Sequence, residues 1–103
     1  MAKYLFVYHG GSAPNPADVK KVMDAWGNWF GSMGSAVIDG GNPVGKSSTV
    51  KSDGSLAAGG GANPASGYSL IEASSLEDAH KKASGCPILK AGGSIEIAAC
   101  MDM

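Results

Sequence analysis

The segment KYLFVYH, residues 3–9, decides the fold. Its aromatic and branched residues, bounded by Gly10-Gly11, predict a β-strand. Successive side chains of a strand point to opposite sides, so the tyrosine and phenylalanine rings point one way and Leu5, Val7 and His9 point the other. Both sides are largely apolar, which indicates that both are covered. Helices of the same chain can cover one side, and the other side then needs a partner.

The segment after this strand has the pattern of an amphipathic helix. Asn15 is a favourable N-cap, Pro16 suits the first helical position, and Asp18 suits the positive end of the helix dipole. Gly34 is a natural stop. Between them, one apolar stripe recurs at helical spacing, with Trp29 at its edge: Val19, Val22, Met23, Trp26, Phe30 and Met33.

The rest of the chain predicts further strands, a hairpin and a second helix. Asp53-Gly54 between two short strands is a hairpin signal, and Ser74 or Ser75 caps a short helix. The predicted strands are residues 36–39, 48–51, 55–57, 67–73 and 94–101. The order β-α-β-hairpin-β-α-β is that of the split βαβ, ferredoxin-like α+β folds. In this arrangement the helices cover one face of an antiparallel sheet and leave the other face bare.

Length, composition and charge restrict the class of protein. With 103 residues, the chain is expected to form a single domain, residues 1–103. It contains neither an apolar run long enough to cross a membrane nor a secretory pattern, so we expect no membrane partner and a cytoplasmic location. Its eight basic residues are all lysines and the net charge is −1, so the dense basic face of a nucleic-acid-binding protein is missing.

The two cysteines, Cys86 and Cys100, are expected to be reduced thiols. No second Cys or His lies at metal-ligand spacing from either, so we predict no metal site and no cofactor. Cys86 follows a helix C-terminus, where the negative end of the dipole raises a thiol pKa and disfavours a nucleophilic role. Cys100 is expected to pack within the last strand.

Residues 40–47, GGNPVGKS, match the phosphate-binding pattern G-x-x-x-x-G-K-[ST]. That loop binds phosphate because a helix begins at its Lys-Ser end and directs backbone N–H groups at the ligand. Here the next segment leads into the predicted hairpin, and Pro43 removes one N–H donor. The match is therefore interpreted as accidental, and no nucleotide site is predicted.

His9 is the first candidate catalytic residue. It ends the first strand before Gly10-Gly11, where an open sheet commonly meets ligands, and an imidazole serves there as a general base near neutral pH. The alternative is a histidine that is hydrogen-bonded to loop backbone. In a sheet with strand order 4-1-3-2, Glu72 and Glu96 approach His9 if their side chains share its face.

Asp39, at the end of the second strand, is the second candidate catalytic residue. Its carboxylate either orients a histidine or accepts a proton, and the alternative is a turn residue that bonds its own backbone. Asn42 is mainly a turn residue and a candidate ligand contact. Both tryptophans are candidate ligand contacts, although Trp26, in the middle of the stripe, is mainly expected in the core. Trp29 is the better candidate for a pocket wall, because indole combines a broad apolar face with one donor.

Together these segments resemble the YCII-related (YciI-like, DGPF-type) proteins across essentially the whole chain. The segments that carry the resemblance are residues 3–10 (KYLFVYHG), 26–30 (WGNWF), 39–43 (DGGNP), 67–73 (GYSLIEA), 75–79 (SLEDA) and 92–97 (GGSIEI). The resemblance implies a dimeric α/β barrel, in which two sheets meet face to face, and a small-molecule pocket. It also implies either acid–base chemistry by a His–Asp pair or a regulatory role beside a sigma factor.

The chain departs from this family in two places. The histidine of the family's first helix would fall near Met23, and residues 59–62 (GGGA) stand where DGPF is expected. Only the carboxylate, at or near Asp39, has a counterpart. Two functions therefore stay open: a small-molecule-binding or regulatory homodimer, and a lyase or isomerase that uses His9 and Asp39.

Overall fold

Two helices and six strands form the structure, a computed structural model that describes residues 1–103. The helices are α1 (Val19–Met33) and α2 (Leu76–Ala83). The strands are β1 (Ala2–His9), β2 (Val37–Asp39), β3 (Ser48–Val50), β4 (Leu56–Ala58), β5 (Ala65–Ala73) and β6 (Ser94–Ala99). The chain has an α+β fold, and its elements follow one another in the predicted order.

The main sheet has four strands in the order β2-β5-β1-β6, and all its neighbouring strands are antiparallel. This is the order expected for a ferredoxin-like fold. Tyr4, Phe6 and Tyr8 of β1 are buried on the side that the helices cover, together with Ile71 and Ala73 of β5. The alternation predicted for the first strand is therefore confirmed, and its aromatic side is the centre of the core.

Helix α1 packs on the sheet through Trp29, which is buried against Phe6 with a ring-centroid separation of 6.4 Å. Trp26 and Phe30 lie beside it and are partly buried. By contrast, Met23 of the predicted stripe is 68% exposed. The N-terminal half of α1 lies above a cavity and not above core side chains, so its apolar residues remain in contact with solvent.

Helix α2 begins at Ser75, whose extended backbone and side-chain oxygen make it the N-cap. Ser75 Oγ accepts the Asp78 N–H at 3.1 Å. Ser74 has a different role, because its backbone N–H donates to the Asp78 carboxylate at 3.0 Å. This hydrogen bond and that of Lys82 Nζ, at 3.1 Å, hold the pKa of Asp78 below its ordinary value. Of the two serines that the sequence left open, Ser75 is therefore the cap.

The predicted hairpin consists of β3 and β4, which form a separate two-stranded sheet. Gly54 turns the chain with φ +87°, and the Asp53 carboxylate accepts the Ser55 N–H at 2.9 Å. Val50 and Leu56 lie opposite each other and are 68% and 72% exposed. Because β3 and not a helix follows residues 40–47, the phosphate-binding pattern has no helix N-terminus at its Lys-Ser end.

The face of the main sheet away from the helices, here called the open face, is largely apolar at its centre. Neither helix covers it, and its side chains are only partly buried or exposed. Leu5 lies opposite Leu70 and Ala98, and Val7 lies opposite Tyr68 and Glu96. Directly opposite residues of antiparallel strands share one face, so these side chains form a continuous surface.

Cys100 lies beyond the end of β6 and is exposed, so the prediction that it packs within the last strand is wrong. The pairing of β6 with β1 ends at Ala99, opposite Tyr4. One further backbone hydrogen bond follows, from the Cys100 N–H to the Lys3 carbonyl at 2.9 Å.

Neither α1 nor α2 has the length and apolar character that a membrane-spanning helix requires.

Candidate functional site

A cavity of about 340 Å³ lies between α1 and the sheet, beside the loop that joins β2 to β3. Met23, Trp26 and Phe30 of α1 form one wall. Residues 40–43 of the loop and residues 66–68 at the start of β5 form the other, with Tyr8 and Ile88 also in contact. Its volume lies within the range of small-molecule pockets. We call this space the α1 cavity.

The Tyr8 hydroxyl is committed to a hydrogen-bonded chain inside the protein. Ser69 Oγ donates to the Gly40 carbonyl at 2.7 Å and lies 2.7 Å from Tyr8 Oη. Because the Ser69 proton is used, Tyr8 donates to Ser69. Burial of the phenol raises the pKa of Tyr8 well above its ordinary value.

The cavity lining contains no carboxylate, amine or imidazole, so it offers no group that exchanges protons near neutral pH.

The hydroxyl of Ser66 is the one buried side-chain oxygen without a hydrogen-bond partner in the chain. Ser66 belongs to the cavity lining. Its backbone is held in place, because its carbonyl accepts the Val44 N–H at 3.0 Å. A buried polar group without a partner costs about 1–3 kcal/mol. The apolar wall of the α1 cavity therefore includes a serine whose backbone is held and whose buried hydroxyl has no hydrogen-bond partner.

The loop that follows β2 is bonded to the start of β5. The Asn42 carbonyl accepts the Tyr68 N–H at 3.3 Å, and Asn42 Nδ2 donates to Tyr68 Oη at 3.3 Å. Gly41 has φ +71°, and a Cβ atom there would clash with the Tyr68 carbonyl. Only glycine fits at this position. The predicted ligand contact Asn42 therefore lies in the cavity wall, held by turn geometry and by β5.

His9 lies on the open face, on the other side of the sheet from the α1 cavity, and its partner there is Glu96. His9 Nε2 lies 2.9 Å from Glu96 Oε1, and Nδ1 lies 3.3 Å from the Pro64 carbonyl. The hydrogen bond with Glu96 is the main cause that raises the pKa of His9. Both ring nitrogens face acceptors, which favours the doubly protonated imidazolium. His9 therefore makes both of the contacts that were considered for it, one with a carboxylate and one with the backbone of a loop.

Asp39 and Glu72 do not lie beside His9. Asp39 pairs with Leu70 across β2 and β5, and strand spacing places its Cα about 16 Å from that of His9. Its Oδ1 accepts the Gly41 N–H at 2.9 Å, which is the turn role considered for it. Glu72 lies opposite Lys3, at the far end of β1. The end of β1 meets the start of β5 because the two strands are antiparallel, so the expected approach of Glu72 is wrong.

The relative burial of the two tryptophans is the reverse of that expected, although each lines a cavity. Trp29 is buried, and its Nε1–H donates to the Lys82 carbonyl at 2.8 Å. Trp26 is only partly buried and lines the α1 cavity. Trp29 and Glu72 also border a second, shallower cleft between α1 and α2, where Asp78 and Lys82 already bond to each other.

No protein-family model matches the chain, and no curated protein is significantly similar to it. No three side chains of His, Cys, Asp or Glu cluster as metal ligands would. The site must therefore be interpreted from its geometry.

Cys86 is buried near the end of α2. Desolvation by burial raises the pKa of its thiol to about 11. The prediction that the pKa of Cys86 is raised is correct, but the main cause is burial and not the helix dipole. A thiol with this pKa is protonated at neutral pH and does not act as a nucleophile.

Three residues that line the α1 cavity were not predicted from the sequence as part of a site: Ser66, Pro43 and Ile88. Ser66 has no sequence signal, because a serine near the start of a strand is common. Pro43 and Gly67 form an isolated β-bridge that brings the β2–β3 loop onto β5. Only the long-range pairing makes these residues neighbours of Trp26.

Proposed function

We propose that this chain forms a homodimer that binds a small molecule in the α1 cavity and does not transform it. The observation that carries the proposal is the separation of the two candidate sites. The α1 cavity has the apolar walls of a binding site but no acid–base group. His9 and Glu96, which have that chemistry, lie on the opposite face of the sheet.

The position of Met23 supports a binding role. In the YCII-related proteins that the chain resembles, the helix histidine of the proposed catalytic pair would fall near this residue. Met23 lies in the wall of the α1 cavity, and a thioether neither donates nor accepts protons near neutral pH. We therefore propose that the protein is a YCII-related member that lacks the catalytic pair and has kept the pocket.

The accessible surface of the chain supports a homodimer. The isolated chain exposes 6918 Å², whereas a compact monomer of 10.3 kDa exposes about 5,400 Å². The excess of about 1,500 Å² is shared between the open face and the separate, exposed β3–β4 hairpin, and a standard interface takes roughly 800 Å² from each partner. The open face, with Leu5, Val7 and Leu70 at its centre, is the surface we assign to the second copy. Two such faces would meet as in a dimeric α/β barrel.

Binding in the α1 cavity is tested with toluene, an apolar probe small enough for the volume. The measurement is the ¹⁵N–¹H NMR signal of the Trp26 indole, and the Trp29 indole signal is the internal reference. We expect toluene to shift the Trp26 signal and to leave the Trp29 signal in place. Gly40→Leu is expected to abolish this shift, because a Cβ at Gly40 points at Phe30 with a separation of 3.9 Å.

Gly45→Leu is the matched control, because nothing lies within 4 Å of a Cβ at Gly45 in the same loop. An unchanged Trp29 signal in Gly40→Leu shows that the variant is folded. If toluene leaves the Trp26 signal unchanged, or if both variants bind it as the unmodified protein does, the proposed binding site is wrong.

The homodimer is tested by sedimentation equilibrium at micromolar concentration. Leu5→Lys places a charge at the centre of the open face and is expected to give monomers. Ala25→Lys, on the exposed side of α1, is expected to remain dimeric. A monomeric unmodified protein at this concentration would contradict the dimer and the family proposed with it.

The lyase or isomerase alternative is favoured by one observation, the His9–Glu96 hydrogen bond of 2.9 Å. In that function Glu96 takes the orienting role that the sequence suggested for Asp39. An enzyme of this kind exchanges a substrate C–H proton with solvent. Deuterium uptake from D₂O into a bound compound, lost in His9→Ala with an unchanged melting temperature, would favour the enzyme over the binding protein. A sigma factor as partner stays a proposal that rests on the resemblance alone.

A further inference from the structure

We propose that the ligand of the α1 cavity is a neutral, planar aromatic molecule with one hydrogen-bonding group, which pairs with Ser66. The inference rests on the proposed function and specifies the ligand class of the same site. It follows from the charge, the shape and the one unsatisfied polar group of the cavity.

The absence of charged groups in the lining argues for a neutral ligand. None of the residues that form the walls is an Asp, Glu, Lys or His. Tyr8, whose phenol borders the cavity, donates its proton to Ser69 and has none to offer. A charged ligand would leave water without a compensating partner, which is strongly unfavourable in an apolar site.

The shape of the walls argues for a planar ring. Trp26 makes an edge contact with Tyr8, at a centroid distance of 5.1 Å and an interplanar angle of 83°. Phe30 is tilted 39° to Trp26 at 5.9 Å. Gly40 and Gly67 also line the cavity, each close to one of its rings: a Cβ at Gly40 would lie 3.9 Å from Phe30, and a Cβ at Gly67 would lie 3.2 Å from Tyr8. Aromatic pairs favour such offset and edge contacts, so a flat aromatic ring is the ligand shape that packs best against the side of this cluster that faces the cavity.

The hydroxyl of Ser66 argues for a single hydrogen-bonding group on the ligand. It is buried and has no partner in the chain. A serine hydroxyl both donates and accepts, and the proposal requires a change of χ1 rotamer that turns the buried Ser66 hydroxyl towards the cavity. A phenol, an aromatic amide or a ring carbonyl would satisfy it. The adjacent hydroxyl, that of Ser69, is already engaged with Gly40 and Tyr8.

The experiment compares three probes of nearly equal size: toluene, 4-methylphenol and 4-methylbenzoate. Dissociation constants are measured from the Trp26 indole signal at two protein concentrations. In the unmodified protein we expect 4-methylbenzoate to bind at least tenfold more weakly than 4-methylphenol. In Ser66→Ala we expect the affinity for 4-methylphenol to fall about fivefold relative to that for toluene, because one neutral hydrogen bond is lost. Ser52→Ala, in the exposed hairpin turn, is the control. It is expected to leave unchanged both the affinity of 4-methylphenol relative to toluene and that of 4-methylbenzoate relative to 4-methylphenol.

The outcomes separate this inference from the proposed function. If toluene binds but Ser66→Ala leaves the ratio of the two affinities unchanged, or if 4-methylbenzoate binds as tightly as 4-methylphenol, the ligand class is wrong and the binding site stands. If none of the three probes affects the Trp26 signal, the proposed function fails as well. If binding weakens at higher protein concentration, a side chain of a second copy occupies the cavity, and this also overturns the inference.

Discussion

Substitution of Trp29 by Phe tests which of the two tryptophans supports the fold. The Trp29 indole is buried between α1 and the sheet, and it stacks on Phe6 at a centroid distance of 6.4 Å. Its Nε1–H donates to the Lys82 carbonyl at 2.8 Å, which links α1 to α2. A phenyl ring keeps part of the stacking contact but has no donor. It leaves the Lys82 carbonyl, in a partly buried position, without this partner.

Two lost interactions determine how far Trp29→Phe is expected to lower the free energy of unfolding. The lost hydrogen bond costs about 1–1.5 kcal/mol. The smaller ring gives up roughly 40 Å² of buried apolar surface, worth about 1 kcal/mol. Together these predict that Trp29→Phe lowers the free energy of unfolding by about 2–2.5 kcal/mol. For a domain of this size the melting temperature should fall by roughly 10 °C or more.

Trp26→Phe is the matched control, since Trp26 is partly buried and its nitrogen has no hydrogen bond in the fold. We expect this substitution to cost less than about 1 kcal/mol of stability. Both variants are compared with the unmodified protein by urea unfolding and calorimetry. The protein concentration is kept equal, because dimerisation makes the melting temperature depend on concentration. Equal losses in the two variants, or a loss under about 1 kcal/mol for Trp29→Phe, would refute the assignment of Trp29 to the core.

Three other substitutions have definite expected results. Ser75→Ala removes the N-cap of α2 and should cost about 1 kcal/mol in urea unfolding; a neutral result would show that Ser75 is not the cap. Glu96→Gln should lower the pKa of His9 towards its ordinary value of 6.5, as followed by NMR titration of the imidazole, because the carboxylate stabilises the imidazolium. Because the pKa of His9 is raised, the pair stabilises the fold below pH 6.5, and this stabilisation is lost as the pH rises through the pKa of His9 in the folded protein. An unchanged pKa of His9 in Glu96→Gln would contradict the role assigned to the carboxylate. Gly41→Ala should destabilise the protein by more than about 3 kcal/mol because of the positive φ and the clash with β5, whereas Gly45→Ala should be nearly neutral; similar effects of the two would show that the loop is not held as described.

Local patterns in the sequence predicted most of the elements. The alternation in residues 3–9, the Asp53-Gly54 turn and the serines before α2 each depend on neighbours within a few positions. Steric and hydrogen-bonding rules that act over such distances can be applied without the fold. The same reasoning rejected the phosphate-binding pattern, since a hairpin and not a helix follows it.

The candidate site was predicted less well, because it depends on contacts between segments far apart in the chain. Trp26 and Trp29 are three positions apart on one helix, and helical periodicity gives both a place near the same stripe. Which of them is buried depends on where α1 lies on the sheet and on the Lys82 carbonyl, which is supplied by α2. Similarly, the sequence offered Glu72 and Glu96 equally as partners of His9. The antiparallel pairing of β1 with β5 places Glu72 beside Lys3 and so excludes it.

The sequence by itself therefore determined the elements, their order and the two apolar sides of the first strand, since these depend on local periodicity and turn chemistry. Only the tertiary structure decided that His9 pairs with Glu96 on one face while the α1 cavity lies on the other. The physical reason is that a strand's periodicity tells which residues share a face, but the packing of a helix decides which face it covers. The unsatisfied hydroxyl of Ser66 likewise exists only because the β2–β3 loop and β5 close around it.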